Sequence, residues 1–204
     1  MTNPEDLAAI AALTDKVRRD AYRAVSDARP APIGRDEVAE ALGVGRSLAA
    51  FHLDKLVDAG LLEVSYARRS GRTGPGAGRP AKLYHLAAAE HAVSVPPRAY
   101  RTAASLLAEA LERMGGDEAL AKVARAHGRS LGDLSELGYE PDFSEDKAIF
   151  RNCPFHRLAE QFPPLICGMN LALVEGLLEG SEWTAKMDAA PGRCCVTLSK
   201  KQTD

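Results

Sequence analysis

Apolar and polar positions alternate with a helical period through most of this chain, and the places where that period breaks outline its elements. Leu7, Ile10, Ala11, Leu13, Val17, Ala21 and Val25 fall at helical spacing and predict one amphipathic helix from residue 7 to about 28. The run Arg29-Pro30-Ala31-Pro32 ends it, because proline lacks an amide hydrogen and crowds the residue before it. Residues 33–44 read as a short helix that starts at Gly34 or Asp36 and closes in a glycine turn. A second helix over 47–60 follows at once, with Ser47 as its N-cap. Its Ala49, Leu53, Leu56 and Val57 sit at i, i+4, i+7 and i+8 and predict the buried face. Residues 61–66 and 82–86 read as strands on either side of a segment too rich in glycine and proline for regular structure. After Val95-Pro96-Pro97, helices are predicted over 100–114 and from Asp117 to about 131, with a turn at 134–137. The last third is mixed: strands over 147–153 and 194–198 flank a helix from 164 to about 180.

The order helix, tight turn, helix, strand, loop, strand is that of a winged helix-turn-helix, which lays its second helix in a DNA major groove. With the core face assigned, Arg46, Ser47, Leu48, Ala50, Phe51 and Lys55 fall on the other faces of that helix. Arg46 and Lys55 can reach phosphates or guanine, and apolar side chains can pack on thymine methyl groups. Phe51 either serves that purpose or packs against the first helix. Arg68, Arg69, Arg72, Arg79 and Lys82 make the expected wing basic. The wing glycines do not form a phosphate cradle, since no strand-to-helix context surrounds them.

Charge changes the picture through its distribution. The net charge of -2 does not mark a nucleic-acid binder. Residues 61–86, however, carry five Lys and Arg against Glu63 alone, whereas residues 87–204 carry 13 Lys and Arg against 17 Asp and Glu. Phosphate contact follows the local basic stripe rather than the total.

At 46% hydrophobic and 26% charged residues, the composition is that of a globular chain. Its 204 residues suffice for two small domains, expected here as a DNA-binding domain over 1–94 and a dimerisation and cysteine-containing sensor domain over 95–204. The expected class is α+β: an N-terminal winged helix-turn-helix followed by a helical or α+β domain. Helix-turn-helix proteins read paired half-sites, so a homodimer on double-stranded operator DNA is expected. The Ala- and Leu-rich stripes of 100–131 either form its surface or fill their own domain's core. No run of about eighteen apolar residues predicts a membrane span. The start of the chain is polar and acidic and shows no signal peptide, so a cytoplasmic location is expected.

Cys153, Cys167, Cys194 and Cys195 are the four cysteines, all in the last third. In a cytosolic chain they read as ligands or reactive thiols rather than disulfides. Soft donors from separate segments suit an iron–sulfur cluster, or zinc as the alternative. His156 stands three residues after Cys153. Successive strand side chains point to opposite faces, so one of the adjacent pair is chosen. The expected ligands are Cys153, His156, Cys167 and Cys195, with Cys194 in reserve. No nucleophile–base arrangement stands out, so no enzymatic activity is expected.

Taken together, residues 47–60 with Leu61-Leu62, the run Gly78-Arg79-Pro80-Ala81-Lys82-Leu83-Tyr84, and Cys153, Cys167 and Cys195 resemble winged-helix regulators related to the ArsR group. The chain is similar, more closely, to the iron–sulfur biogenesis repressors (SufR-like). That resemblance implies a C-terminal domain whose cysteines hold a cluster and whose cluster state sets operator affinity. It departs from the pattern in the adjacent Cys194-Cys195 pair and in the nearby His156. The competing expectation is a winged-helix regulator that responds to a small organic ligand, with structural cysteines or zinc.

Overall fold

The computed structural model describes residues 3–68, 80–190 and 192–201, with Ser135 and Glu136 described by backbone alone. The chain divides into two units, Met1–Arg98 and Ala99–Asp204. The cut expected after residue 94 lies four residues before that division.

The first unit runs α1 (Pro4–Ala12), α2 (Lys16–Asp27), β1 (Ile33–Gly34), α3 (Arg35–Leu42), α4 (Arg46–Asp58), β2 (Leu62–Ala67) and β3 (Ala81–Leu86). The single helix expected over 7–28 is therefore two. Local polar groups make the break. The Asp15 carboxylate accepts the Arg18 amide at 2.8 Å and starts α2, while the Thr14 hydroxyl donates to the Ala11 carbonyl at 2.8 Å. Arg18 and Arg19 reach back to the carbonyls of Ala12 and Leu13, which the end of α1 leaves open. Both helices bury apolar residues in one core (Ala9, Ala12, Ala21, Val25), so the periodicity passes across the break.

Ile33 and Gly34, expected as helix, pair instead with Tyr84 and Leu83. The short sheet has the order β1-β3-β2, antiparallel throughout, with Leu62 opposite Leu86 and Ala67 opposite Ala81. Gly43, at φ 63°, ends α3 in the left-handed conformation that glycine adopts without strain. The N-cap of α4 is Gly45, so Ser47 lies inside the first turn rather than capping it. Val38, Ala49, Leu53, Leu56, Leu62 and Tyr84 close the core between the two helices and the hairpin.

The second unit runs α5 (Tyr100–Arg113), α6 (Asp117–Gly128), a 3-10 turn (Leu134–Leu137), β4 (Pro141–Phe143), β5 (Lys147–Phe150), α7 (His156–Gln161), α8 (Pro163–Leu177), β6 (Trp183–Met187) and β7 (Val196–Lys200). Its strands form an antiparallel sheet in the order β4-β5-β7-β6. Ala148, Phe150, Val196 and Leu198 share a core with Leu173 and Val174 of α8 and Ala124 of α6. Helices α6 and α8 meet at two glycines. A Cβ on Gly128 would lie 2.1 Å from the Leu173 carbonyl oxygen, and one on Gly176 would lie 2.1 Å from that of Arg125. The ion pair Arg125–Glu175 at 2.5 Å links the same two helices, and Arg129–Glu179 at 2.7 Å joins the residues just past their C-terminal ends.

Candidate DNA interface and cysteine site

Helix α4 presents two unlike faces. Ala49, His52, Leu53 and Leu56 are buried, whereas Leu48 is 44% and Phe51 53% exposed. Phe51 thus projects outward, in edge contact with the His52 ring at 5.3 Å. Arg46, Ser47 and Lys55 are exposed and Ala50 is half-buried. Arg46 Nε lies 2.6 Å from Asp36 of α3, and Lys55 Nζ lies 3.3 Å from Asp58. Exposed pairs of this kind are weak, so either cation can exchange its partner for a phosphate at little cost. Burial of His52 was not foreseen. Its Nδ1 has no hydrogen-bond partner among the described residues and lies 3.8 Å from the Asp15 carboxylate.

Of the five wing cations, Arg68 is exposed at the end of β2. Arg69, Arg72 and Arg79 lie outside the described residues. Lys82 has an internal partner: its Nζ is 2.5 Å from Asp54 Oδ1, which also accepts the Tyr84 hydroxyl at 3.0 Å. The ammonium lies 5.2 Å from the Tyr84 ring centre. These three side chains tie α4 to β3 and so fix the recognition helix against the hairpin. Burial pushes the Asp54 carboxyl upward, but the hydrogen bonds from Lys82 and Tyr84 outweigh it and hold the group below the ordinary carboxylate value. The same bond to Asp54 raises Lys82. Tyr84 is raised by burial first and then by Asp54.

The cysteines come from three segments of the second unit. Cys153 follows β5, Cys167 lies in α8, and Cys194 and Cys195 immediately precede β7. Their thiols neighbour one another in sequence: Cys153 interacts with Cys194, Cys194 with Cys195, and Cys195 with Cys167. Cys194 is 1% exposed and the other three are half-buried. Alternation along a strand does not separate Cys194 from Cys195, because both stand outside β7. Among the described residues no three His, Cys, Asp or Glu side chains converge as ligands of one ion; the thiols meet in pairs. His156, expected as a ligand, opens α7 with its ring exposed and its Nε2 3.3 Å from Glu160.

Charge is unevenly held in the thiol chain. Cys194 lies below the ordinary thiol value because it accepts from Cys153, from the Val196 amide at 3.5 Å and from Asn170 Nδ2 at 3.3 Å, which together outweigh its burial. Cys153 is raised by donating to Cys194 and by burial, and Cys195 by burial and its bond to Cys167. Asn170 and Tyr139, 1% and 3% exposed, were not foreseen as part of this site. The signal for Asn170 was one polar residue inside the apolar stripe of α8, between Ile166 and Leu173.

A helix-turn-helix domain family model matches residues 13–65, from the end of α1 to the middle of β2. No curated protein matches the chain. The match falls on the segment whose geometry places α3 and α4 across a glycine turn. The class is therefore a helix-turn-helix DNA-binding protein. Its kind is a transcriptional regulator, and the match supports the winged, ArsR-like type.

Proposed function

We propose that the chain is a homodimeric winged-helix regulator, most simply a repressor, whose operator affinity is set by an iron–sulfur cluster held in the second unit. The observation that carries this reading is that three separate segments bring four cysteines into one run of neighbouring thiols, Cys153 beside the buried Cys194, Cys194 beside Cys195, and Cys195 beside Cys167. Cys153, Cys167, Cys194 and Cys195 would hold the cluster, with Cys194 in the place first assigned to His156. Four cysteine thiolates are the ligand set that iron–sulfur clusters take. The same four donors would also serve structural zinc, which the metal analysis below distinguishes. When bound, such a cluster exchanges electrons and is lost to oxidants, which makes it a reporter of redox and iron status.

On the DNA side, Arg46, Ser47, Leu48, Ala50, Phe51 and Lys55 of α4 would read the major groove, and Arg68, Arg69, Arg72 and Arg79 would hold phosphates alongside. Lys82 serves first as the partner of Asp54. Cluster and operator would be linked by a coupling free energy, so that each changes the affinity for the other by the same factor. This activity is binding rather than turnover, and it belongs where the DNA is, in the cytoplasm or nucleoid. No described helix is long and apolar enough to cross a membrane.

The test is an anaerobic absorption spectrum with iron, sulfide and zinc analysis, followed by mobility shifts on operator DNA. Brown protein that bleaches in air and then changes its operator affinity is the expected result. Stoichiometric zinc without colour would make the site structural or metalloregulatory. Protein that takes up neither, even after reconstitution, would move the reading to an organic ligand. In the same assay Arg46→Ala and Lys55→Ala should each weaken operator binding and reduce its salt slope by about one. Unchanged affinity in both would remove α4 from the interface.

A further inference from the structure

A carboxamide inside an apolar helix face is costly unless both of its ends are used, since burying an unpartnered amide costs a few kcal/mol. Asn170 is 1% exposed on α8, one turn after Cys167. Both ends of its amide are used. The buried Tyr139 hydroxyl donates to Oδ1, and Nδ2 donates to the Cys194 sulfur at 3.3 Å. Tyr139 is itself fixed by packing, its ring 5.0 Å from that of Phe150 and 6.5 Å from that of Phe155. The phenol thus anchors the Oδ1 end of the amide, and the N–H end faces the sulfur. The Val196 amide donates to the same sulfur at 3.5 Å, so Cys194 receives protein donors from two elements.

We propose that Asn170, oriented by Tyr139, is a positioning residue of the cysteine site: it fixes the Cys194 sulfur and stabilises negative charge on it. In its full form the inference rests on the cluster reading above. A donor to a ligating sulfur withdraws charge and favours the more negative, reduced cluster, which raises the reduction potential. Tyr139 acts through its hydrogen bond to Asn170.

The test has two arms. In metal-free, fully reduced protein, the Asn170 carboxamide protons should exchange with water far more slowly than those of the exposed Asn3. Cys194→Ala should shift the Asn170 amide resonances and speed that exchange. In anaerobically reconstituted protein, the double variant Tyr139→Phe/Asn170→Leu should retain iron and sulfide but show a lower midpoint potential and a shifted absorption band. The double variant is chosen because apolar replacement of both partners leaves no polar group unpaired, whereas Asn170→Leu alone strands the phenol. Exchange as fast as at Asn3, or a double variant with wild-type potential and spectrum, overturns the proposal. If the wild type binds no iron or sulfide, the cluster reading fails and the first arm decides alone. Asn170 resonances that move in Cys194→Ala then support its hold on the sulfur, and unmoved resonances overturn it.

Discussion

Asp54 shows how one side chain on a DNA-binding helix is spent on architecture. It sits on the outward part of α4, yet it accepts from both Lys82 and Tyr84 of β3. Its neighbours Leu48, Phe51 and Lys55 are thereby held at a fixed angle to the hairpin. The pH dependence follows from the shifts of Asp54 and Lys82, and Tyr84, also raised, adds to the alkaline flank with the same sign as Lys82. Asp54 is lowered in the folded chain, so its contribution is present above the unfolded carboxylate value of about 4 and is lost as pH falls through the folded value. Lys82 is raised, so its contribution is present below about 10.4 and is lost as pH rises through the folded value. Stability of the first unit should thus fall off on both flanks of a plateau. Asp54→Asn should flatten the acid flank and weaken the alkaline one. With the carboxylate side chain 53% exposed, the loss at neutral pH should stay below about 1 kcal/mol. Denaturant melts from pH 3 to 11 check this, and identical flanks in the variant would remove the clamp from the account.

Among the elements, the crossing of α6 and α8 constrains the second unit most directly. Each helix needs a glycine where the other's backbone passes, and a methyl group at Gly176 would collide with the Arg125 carbonyl. The obstacle is backbone and cannot rotate away, so the helices must separate. Gly176→Ala should destabilise the unit by about 1–3 kcal/mol through overpacking. Trp183, the chain's one tryptophan, lies in β6 of the same unit and reports it selectively. Its fluorescence midpoint in urea should drop, and an unchanged midpoint would refute the close crossing. This crossing was not visible in the sequence, because a glycine inside a helical pattern does not say what approaches it. Long periodic elements were legible: α4, α5 and α8 fall within a few residues of their expected limits. Short ones were not. β4 has three residues, α7 has six, and β6 carries its alternation of Trp183, Ala185 and Met187 over only five. The four cysteines were legible as a group, but their pairing was not, since it depends on Cys194 and Cys195 standing just outside β7.

For the whole molecule, the apolar surface of α5 bears on how DNA is read. Ala108 and Leu111 pack inside the second unit with Leu165 and Ile166. Beside that buried stripe the second unit carries further apolar side chains that its described residues leave exposed: Tyr100, Leu107 and Met114, with Leu106 at the margin, are 74%, 66%, 80% and 62% exposed. Val123 of α6 is exposed to 66%. A row of exposed apolar side chains on one helix is the kind of surface that contacts use. A second copy of the chain would both cover it and supply the second recognition helix that a two-half-site operator needs. Leu107→Glu should then convert the protein to a monomer in sedimentation velocity. It should also weaken binding to a two-half-site operator on the order of 100-fold, because the second half-site would no longer be engaged at high effective concentration. Affinity for an isolated half-site should be unaltered, and the Trp183 urea transition should show a folded second unit. A Leu106→Glu/Leu107→Glu double variant that still sediments as a dimer would place the subunit contact elsewhere, and one that binds the full operator as tightly as the wild type would show that one recognition helix suffices.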